Sequence, residues 1–405
     1  MNFRRACAAV SMLAATTFLA LGGASAEDGP LRLGILNDQS GPYADATGAG
    51  SAVMARFAIE KFGGTVLGRQ IEVVSADHRN SADVASTLAR RWLDVEGVNA
   101  IFDVPNSGVL LAIQEVVRER GGIVIASGGG TSAFTGKFCS PYGFQWTYDT
   151  FALANGAVRA LANDGVKSWF LMQVDYAFGD AAAADIETVL AETGGEVVGR
   201  VRTPLNTADF SSFLLQAQSS GAQGIALLNA GADTLNSLKQ ANEFGIPQAG
   251  QQLLGLIFFE ADGRSVGLEA TQGLTVTLPF YWKQSEETVE IAQRFYDEVG
   301  RMPSYIQIGV YSAVLHYLRA VEKAGTTDRD AVADSIRALP VNDAFVDGGQ
   351  VRADGRMLHQ MLLGRVRSPA EMEGQHEWDI YNILATIPAE DAARPLPVGE
   401  CYLVK

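Results

Sequence analysis

Residues 98–136, "VNAIFDVPNSGVLLAIQEVVRERGGIVIASGGGTSAFTG", hold a strand, a helix, a second strand and a glycine-rich loop in one run. "VNAIFDV" and "IVIAS" are short apolar segments. The stretch between them, "SGVLLAIQEVVRERGG", has helical spacing and ends in two glycines. Strands alternating with helices read as a parallel sheet covered on both faces. Ligands of such sheets sit at the carboxyl ends of the strands, where "DVPNSG" and the loop after Ile125 lie.

The same alternation extends to both sides. Upstream are "LRLGILND" (31–38), a helix through "SAVMARFAIEKFGG", the strand "RQIEVVSAD" and the helix "SADVASTLARRWLDVEG". Downstream the pattern restarts. The helix "TFALANGAVRALANDG" leads to strands "VKSWFLMQVD", "EVVGRVRTP", "AQGIALLN" and "QQLLGLIFF", each followed or preceded by a helical segment. After "QGLTVTLPFYW" come three helices in succession, then extended segments "RMLHQMLLGRVRS" and "EWDIYNILATIP". These helices need a sheet to cover, and the first half has the open face. The expected fold is therefore α/β with two lobes, each a mostly parallel sheet flanked by helices, joined by several crossings that act as a hinge. Lobe one is expected over 31–149 plus 280–356, and lobe two over 150–279 plus 357–405.

The chain opens with Arg4 and Arg5, an apolar stretch and Ala24-Ser25-Ala26. Those are the parts of a cleaved secretory signal peptide, residues 1–26, with a mature start at Glu27. The chain is expected to be exported and to have no stable membrane insertion, because no later apolar run is long enough to span a bilayer. Lys and Arg number 31 against 46 Asp and Glu, a net charge of −15. That balance opposes binding to nucleic acid and to anionic membranes. Cys7 leaves with the leader. Cys139 and Cys401 remain as an even pair in an oxidising compartment, and a disulfide between them is the favoured reading over two separate thiols. His78, His316, His359 and His376 are scattered singly, without metal-ligand spacing. No metal and no cofactor are expected.

The glycine loop Ser127-Gly128-Gly129-Gly130-Thr131 does not fit a phosphate loop, since Lys137 lies too far on and precedes Phe138. It does not fit a dinucleotide fingerprint, because position 133 is Ala and no long helix follows. A G-x-S-x-G nucleophile turn is absent. The chain is accordingly read as a non-enzyme. What remains is a cradle of backbone amides and hydroxyls suited to a carboxylate. Ser107 faces the same crevice from a helix start, as a ligand contact, an N-cap or both.

With these residues in view, the chain resembles periplasmic solute-binding proteins of the branched-chain amino acid transporter class, the leucine-binding-protein-like type I fold. The resemblance runs from Leu31 to about Cys401. "GILNDQSGPYADATGAG" is similar to the family's first-strand loop, and "FDVPNSG" and "IASGGGTSAFT" to its two carboxylate-binding loops. "DYAFG" is similar to its second-lobe loop, and "SVGLEATQGLTVTLPFYW" to the segment that re-enters lobe one. The resemblance implies that Ser107, Ser127 and Gly128 to Thr131 hold a carboxylate, that Phe178 closes over the ligand, and that Tyr43 stands near the pocket mouth. Tyr176, Asn229, Phe259, Glu260 and Trp282 complete the expected ligand contacts. Amino-acid binders of the family hold the ammonium with an acidic side chain beside an aromatic one. Glu260 is the first candidate here, but no aromatic-plus-acid cage is evident, which favours an organic or aromatic acid. The implied function is capture of a small carboxylate-bearing solute by a monomer that delivers it to ABC permease and ATPase subunits. A ligand sensor of the same fold is the alternative.

Overall fold

The structure is a computed structural model and describes residues 29–396 and 400–404; the expected leader lies outside them. Its strands are β1 (Leu31–Asn37), β2 (Thr65–Val66), β3 (Arg69–Asp77), β4 (Val98–Asp103), β5 (Ile123–Ala126), β6 (Gly143–Gln145), β7 (Ser168–Val174), β8 (Glu196–Thr203), β9 (Gly224–Leu228), β10 (Gln252–Gly255), β11 (Thr275–Leu278), β12 (Gln350–Val351), β13 (Met357–Leu358), β14 (Met361–Val366) and β15 (Tyr381–Ile387).

Two sheets form the two lobes. The first has the order β2-β3-β1-β4-β5-β6, parallel except for the β2 hairpin edge. The second has the order β15-β14-β11-β10-β9-β7-β8, with β14 and β15 antiparallel. Apolar runs such as Ile123–Ala126 and Gly224–Leu228 are buried throughout, as parallel strands covered on both faces require. The wholly parallel core strands reverse direction of growth at β1/β4 in one sheet and at β7/β9 in the other. A crevice opens at each such point, at the carboxyl ends of the strands.

The helices after Trp282 return to the first sheet. Tyr305–Ala324 is buried along most of its length and packs on the helix Gly48–Phe62. Gly50 permits this approach, because a Cβ there would meet Gln307 Nε2 at 2.4 Å. Ser304 and Gln307 form a capping box and donate to the carbonyls of Ala46 and Thr47, at 2.6 and 2.9 Å. These bonds hold the loop after β1 in place.

The lobes meet along crossings that include Gln145–Thr150 and Arg356–Met361. Arg356 and Asp149 are both buried, with Nε to Oδ2 at 3.2 Å. Arg356 Nη1 also donates to the carbonyls of Gln145 and Trp146, at 3.2 and 3.1 Å. Asp149 Oδ1 accepts from the amide of Ala152 and so caps the first helix of the second lobe. His359 Nε2 meets the carbonyl of Thr147 at 2.6 Å.

Cys139 and Cys401 are bonded, with Cα atoms 5.6 Å apart. The tail expected in lobe two therefore ends on lobe one, because Cys139 lies between β5 and β6. Another difference concerns the segment 251–259, expected as one strand. Only Gln252–Gly255 pairs as β10, because its ladder with β9 stops at Gly255 opposite Leu227. Ile257 and Phe259 stand beyond it as loop residues.

Two outcomes follow from these contacts. Arg356→Ala strands a buried carboxylate and should cost about 3–5 kcal/mol in urea unfolding; a loss of less than about 1 kcal/mol would place the pair in a solvent-like setting. Non-reducing peptide mapping of the exported protein should recover Cys139 linked to Cys401. Because the bond spans 262 residues, reduction should lower stability by up to about 5 kcal/mol on the chain-entropy model.

Candidate functional site

A cavity of about 330 Å3 lies between the lobes. Tyr43 and Ala46 reach it from the loop after β1, Pro105 from the end of β4, Gly128 from β5 and Tyr148 from β6. Tyr176 and Phe178 come from the end of β7, Ala230 from β9, and Ile257 and Phe259 from β10. Ile306 completes the wall. Nearly every contributor thus stands at the carboxyl end of a parallel strand, as the topology requires.

The turn leaving β4 is strained, with Asp103 and Val104 at φ of 81° and 49°. It is pinned by the bond from the Val104 amide to the Leu36 carbonyl and brings Pro105 against Gly128. Asp103 sits behind Gly128, accepts from Asn37 Nδ2 at 2.9 Å, and is pushed up to about 7 by burial. A partly protonated group there reduces repulsion toward an anion in the cavity.

The glycine loop is donor-rich for a definite reason. Tyr148 Oη donates to the Gly128 carbonyl at 2.6 Å, Gln145 Nε2 donates to that of Gly129, and the Thr150 amide to that of Gly130. The Gly128 amide is bonded to the Asp103 carbonyl, and the Thr131 amide to Ser107 Oγ at 3.2 Å. The buried amides of Gly129 and Gly130 have no hydrogen-bond acceptor among the described residues. All three carbonyls are satisfied and two donors are free, so the loop offers hydrogen bonds to an acceptor and few to a donor. Gly130 abuts the cavity: a Cβ there would meet the Tyr148 and Phe178 rings at 2.9 and 3.2 Å.

Of the residues expected from sequence, Tyr43, Gly128, Tyr176, Phe178 and Phe259 line the cavity, Gly130 adjoins it, and Gly129 packs against Leu110 and Val104. Ser107 is buried in the wall and holds the loop through Thr131; the Thr131 side chain bonds the Ala133 amide. Ser127 is buried with its hydroxyl unpartnered, away from the cavity lining and near Thr147 and Gly309. Asn229 turns to Thr234 and Ser237 in its own loop. Trp282 is not part of the site: its Nε1 donates to the Trp378 carbonyl and its ring lies 5.3 Å from His376. Glu260 opens into a neighbouring chamber. The cavity residues absent from the expected set are Ala46, Pro105, Tyr148, Ala230, Ile257 and Ile306. Of these, Tyr148 offers a signal in the sequence, as an aromatic in the run "FQWTYD" that follows the loop.

All four histidines bond backbone carbonyls or amides nearby: His78 with Asn80, His316 with Ile336, His359 with Thr147 and Gln360, and His376 with Trp378. Burial lowers His78, His316 and His359 to about 4. No group of three or more His, Cys, Asp or Glu is placed to hold a metal ion among the described residues.

The lobes are in contact around the cavity. Tyr43 Oη and Tyr176 Oη, from opposite lobes, are 2.8 Å apart. The Ala232 amide donates to the Pro42 carbonyl at 3.3 Å. Gly231, at φ 58°, lets the backbones approach, since a Cβ there would come within 2.1 Å of Pro42 O.

Two lobes shut on a small enclosed cavity at the strand ends define a solute-binding protein. The family model described as periplasmic binding protein matches residues 30–371, and the chain belongs to that family. It is similar to a periplasmic binding protein from Burkholderia mallei, with 41% identity, a TM-score of 0.90, and 93% of this chain and 99% of that one covered. It is also similar to a branched chain amino acid ABC transporter periplasmic ligand-binding protein from Burkholderia xenovorans LB400. There the identity is 40%, the TM-score 0.83 and the coverage 93% and 100%. Among curated relatives, Leu/Ile/Val-binding protein homolog 6 of Brucella melitensis is 26% identical, over 86% of this chain and 89% of that one.

Gly231→Ala should hold the lobes apart. The variant is expected to bind the solute that co-purifies with the wild type at least about tenfold more weakly, the equivalent of 1.4 kcal/mol. Equal affinity by calorimetry would remove the Pro42 contact from the bound state.

Proposed function

We propose that this chain, exported through a cleaved leader and monomeric, captures a small organic or aromatic acid. It does so by closing lobe one (31–149 plus 280–356) on lobe two (150–279 plus 357 onward, except the tail at Cys401, which returns to lobe one), and it delivers the solute to the permease and ATPase subunits of an ABC importer. The observation that carries this reading is the division of labour in the cavity. The buried Gly129 and Gly130 amides of the glycine loop have no acceptor among the described residues, and no charged side chain lines the cavity. An acid binds such a site through the Gly129 and Gly130 amides, with apolar burial against Phe178, Phe259, Ile257 and Ile306 supplying the rest. An α-amino acid would bring an ammonium to a wall of Ala230, Ile257 and Phe259, where burial of an unpaired charge is expensive.

Mass spectrometry of the co-purified solute, followed by calorimetry against benzoate, 4-hydroxybenzoate, phenylacetate, leucine, isoleucine and valine, tests this directly. Acids without an ammonium group should bind and the amino acids should not; tight leucine binding would overturn the ligand class. Ser107→Ala removes the acceptor of the Thr131 amide and loosens the cradle. Affinity for the acid should fall by about tenfold, within the range for a hydrogen bond in this setting, with the unfolding midpoint of the empty protein little changed.

A further inference from the structure

A second chamber, of about 690 Å3, lies at the mouth of the cleft and shares Ala46 and Phe259 with the central cavity. Lobe one contributes Asp45, Arg301 and Ser304, and lobe two contributes Glu260 and Asp262. The chamber exists only because the lobes meet. Its charges do not balance: Arg301 Nη1 is engaged with Asp45 at 2.5 Å, and Asp262 accepts from the Phe259 amide at 2.9 Å. Glu260 is 5% exposed and receives a hydrogen bond only from its own backbone amide. No cation faces it. The other titratable groups around it are Asp262 on its own helix, Tyr281 beyond β11, Tyr381 on β15 and Tyr305 across the cleft. Tyr281 and Tyr381 donate elsewhere, to Asp379 and to the Phe258 carbonyl, and Tyr305 Oη is unpartnered.

We infer that closure of the cleft is coupled to the uptake of a proton by Glu260. A carboxylate that water solvates in the open cleft is enclosed on closing with no counter-ion, and protonation is the local way to remove the charge. The inference rests on the two-lobe closure of the proposed function and is independent of the solute's identity. Burial first, and Asp262 second, push Glu260 from 4.5 up to about 8. The sign follows: the closed form binds the extra proton, so closure is strongest below the open-state value and weakens as pH rises. The weakening is by up to about tenfold per pH unit for one proton, and it levels off above the closed-state value.

The test needs no solute. Spin labels at Lys61→Cys on lobe one and Ser219→Cys on lobe two report the open and closed populations of the empty protein between pH 5.5 and 9. In the wild-type background the closed-to-open ratio should rise at least tenfold on acidification. Glu260→Gln, a neutral isostere, should raise the ratio and flatten most of this response; what remains belongs to Asp262 on the same helix, which burial pushes up to about 7. A wild-type ratio that does not change with pH overturns the coupling, as does the full wild-type slope in Glu260→Gln. Since the readout contains no ligand, neither result depends on whether the solute is an acid or an amino acid.

Discussion

The buried pair Arg356–Asp149 is the constraint on which the rest of this molecule depends. One guanidinium, delivered by the chain returning from lobe one, pairs with a carboxylate that also caps the first helix of lobe two. The same guanidinium ties down the carbonyls of Gln145 and Trp146, so the crossing backbone is held as well as the side chains. A buried ion pair of this kind is weak evidence for net stability, because desolvation offsets its attraction. Its effect here is positional. It fixes where Tyr148 stands, three residues from Gln145, and Tyr148 in turn sets the Gly128 carbonyl. The crossing and the cradle are thus one bonded unit, and the two lobes are joined by a stiff seam rather than a loose tether.

From that seam the cavity follows by strand direction. Parallel strands in both sheets end on the same crevice, so successive loops deliver Tyr43, Pro105, Gly128, Phe178, Ala230 and Phe259 to one small volume. Closure then requires close backbone approach, which glycine supplies at Gly231 and Gly130. What closure encloses is chemically uneven: an inner space with free amides and apolar walls, and an outer one with excess carboxylate. The two share Phe259, whose ring lies 4.6 Å from that of Tyr305. One aromatic contact separates a site for an anion from a site that titrates.

Much of this was legible in the sequence. Alternating apolar strands and amphipathic helices define two sheets without reference to contacts, and the two cysteines left after the leader pair as parity suggests. Most glycine clusters at a strand end are only loops; this one was readable as a candidate cradle because the phosphate-loop, dinucleotide and nucleophile-turn patterns do not fit it. The walls were not legible. Ile257 reads as strand interior in "QQLLGLIFF", and only the end of the β9–β10 ladder at Gly255 turns it into a loop residue. Pro105 reads as a spacer, and its place in the wall depends on positive φ at Asp103 and Val104, which neither residue advertises. Trp282 reads as a cleft aromatic, yet the loop holding it is 96 residues away in sequence. Each miss is a tertiary event imposed on a locally neutral sequence.

A chain of net charge −15 is an unusual host for the acid proposed as its solute, and the geometry offers a way to reconcile the two. Most of the charge is on exposed side chains, such as Asp175 and Asp180 around Arg202, many of them paired. At physiological ionic strength the field of exposed groups decays over about 8 Å, so it acts on the approach of an anion more than on its residence. At the cavity the partial charges are those of the Tyr43, Tyr148 and Tyr176 hydroxyls and of the adjoining Gly130 amide, whose fields the low local dielectric strengthens. The nearest carboxyl, Asp103, is held toward its neutral form by burial. Association is therefore slowed by the surface while dissociation is slowed by the interior. An affinity set mainly by dissociation depends on lobe closure. That gives the hinge pair, the Gly231 approach and the protonation of Glu260 a direct hold on how long the solute stays bound.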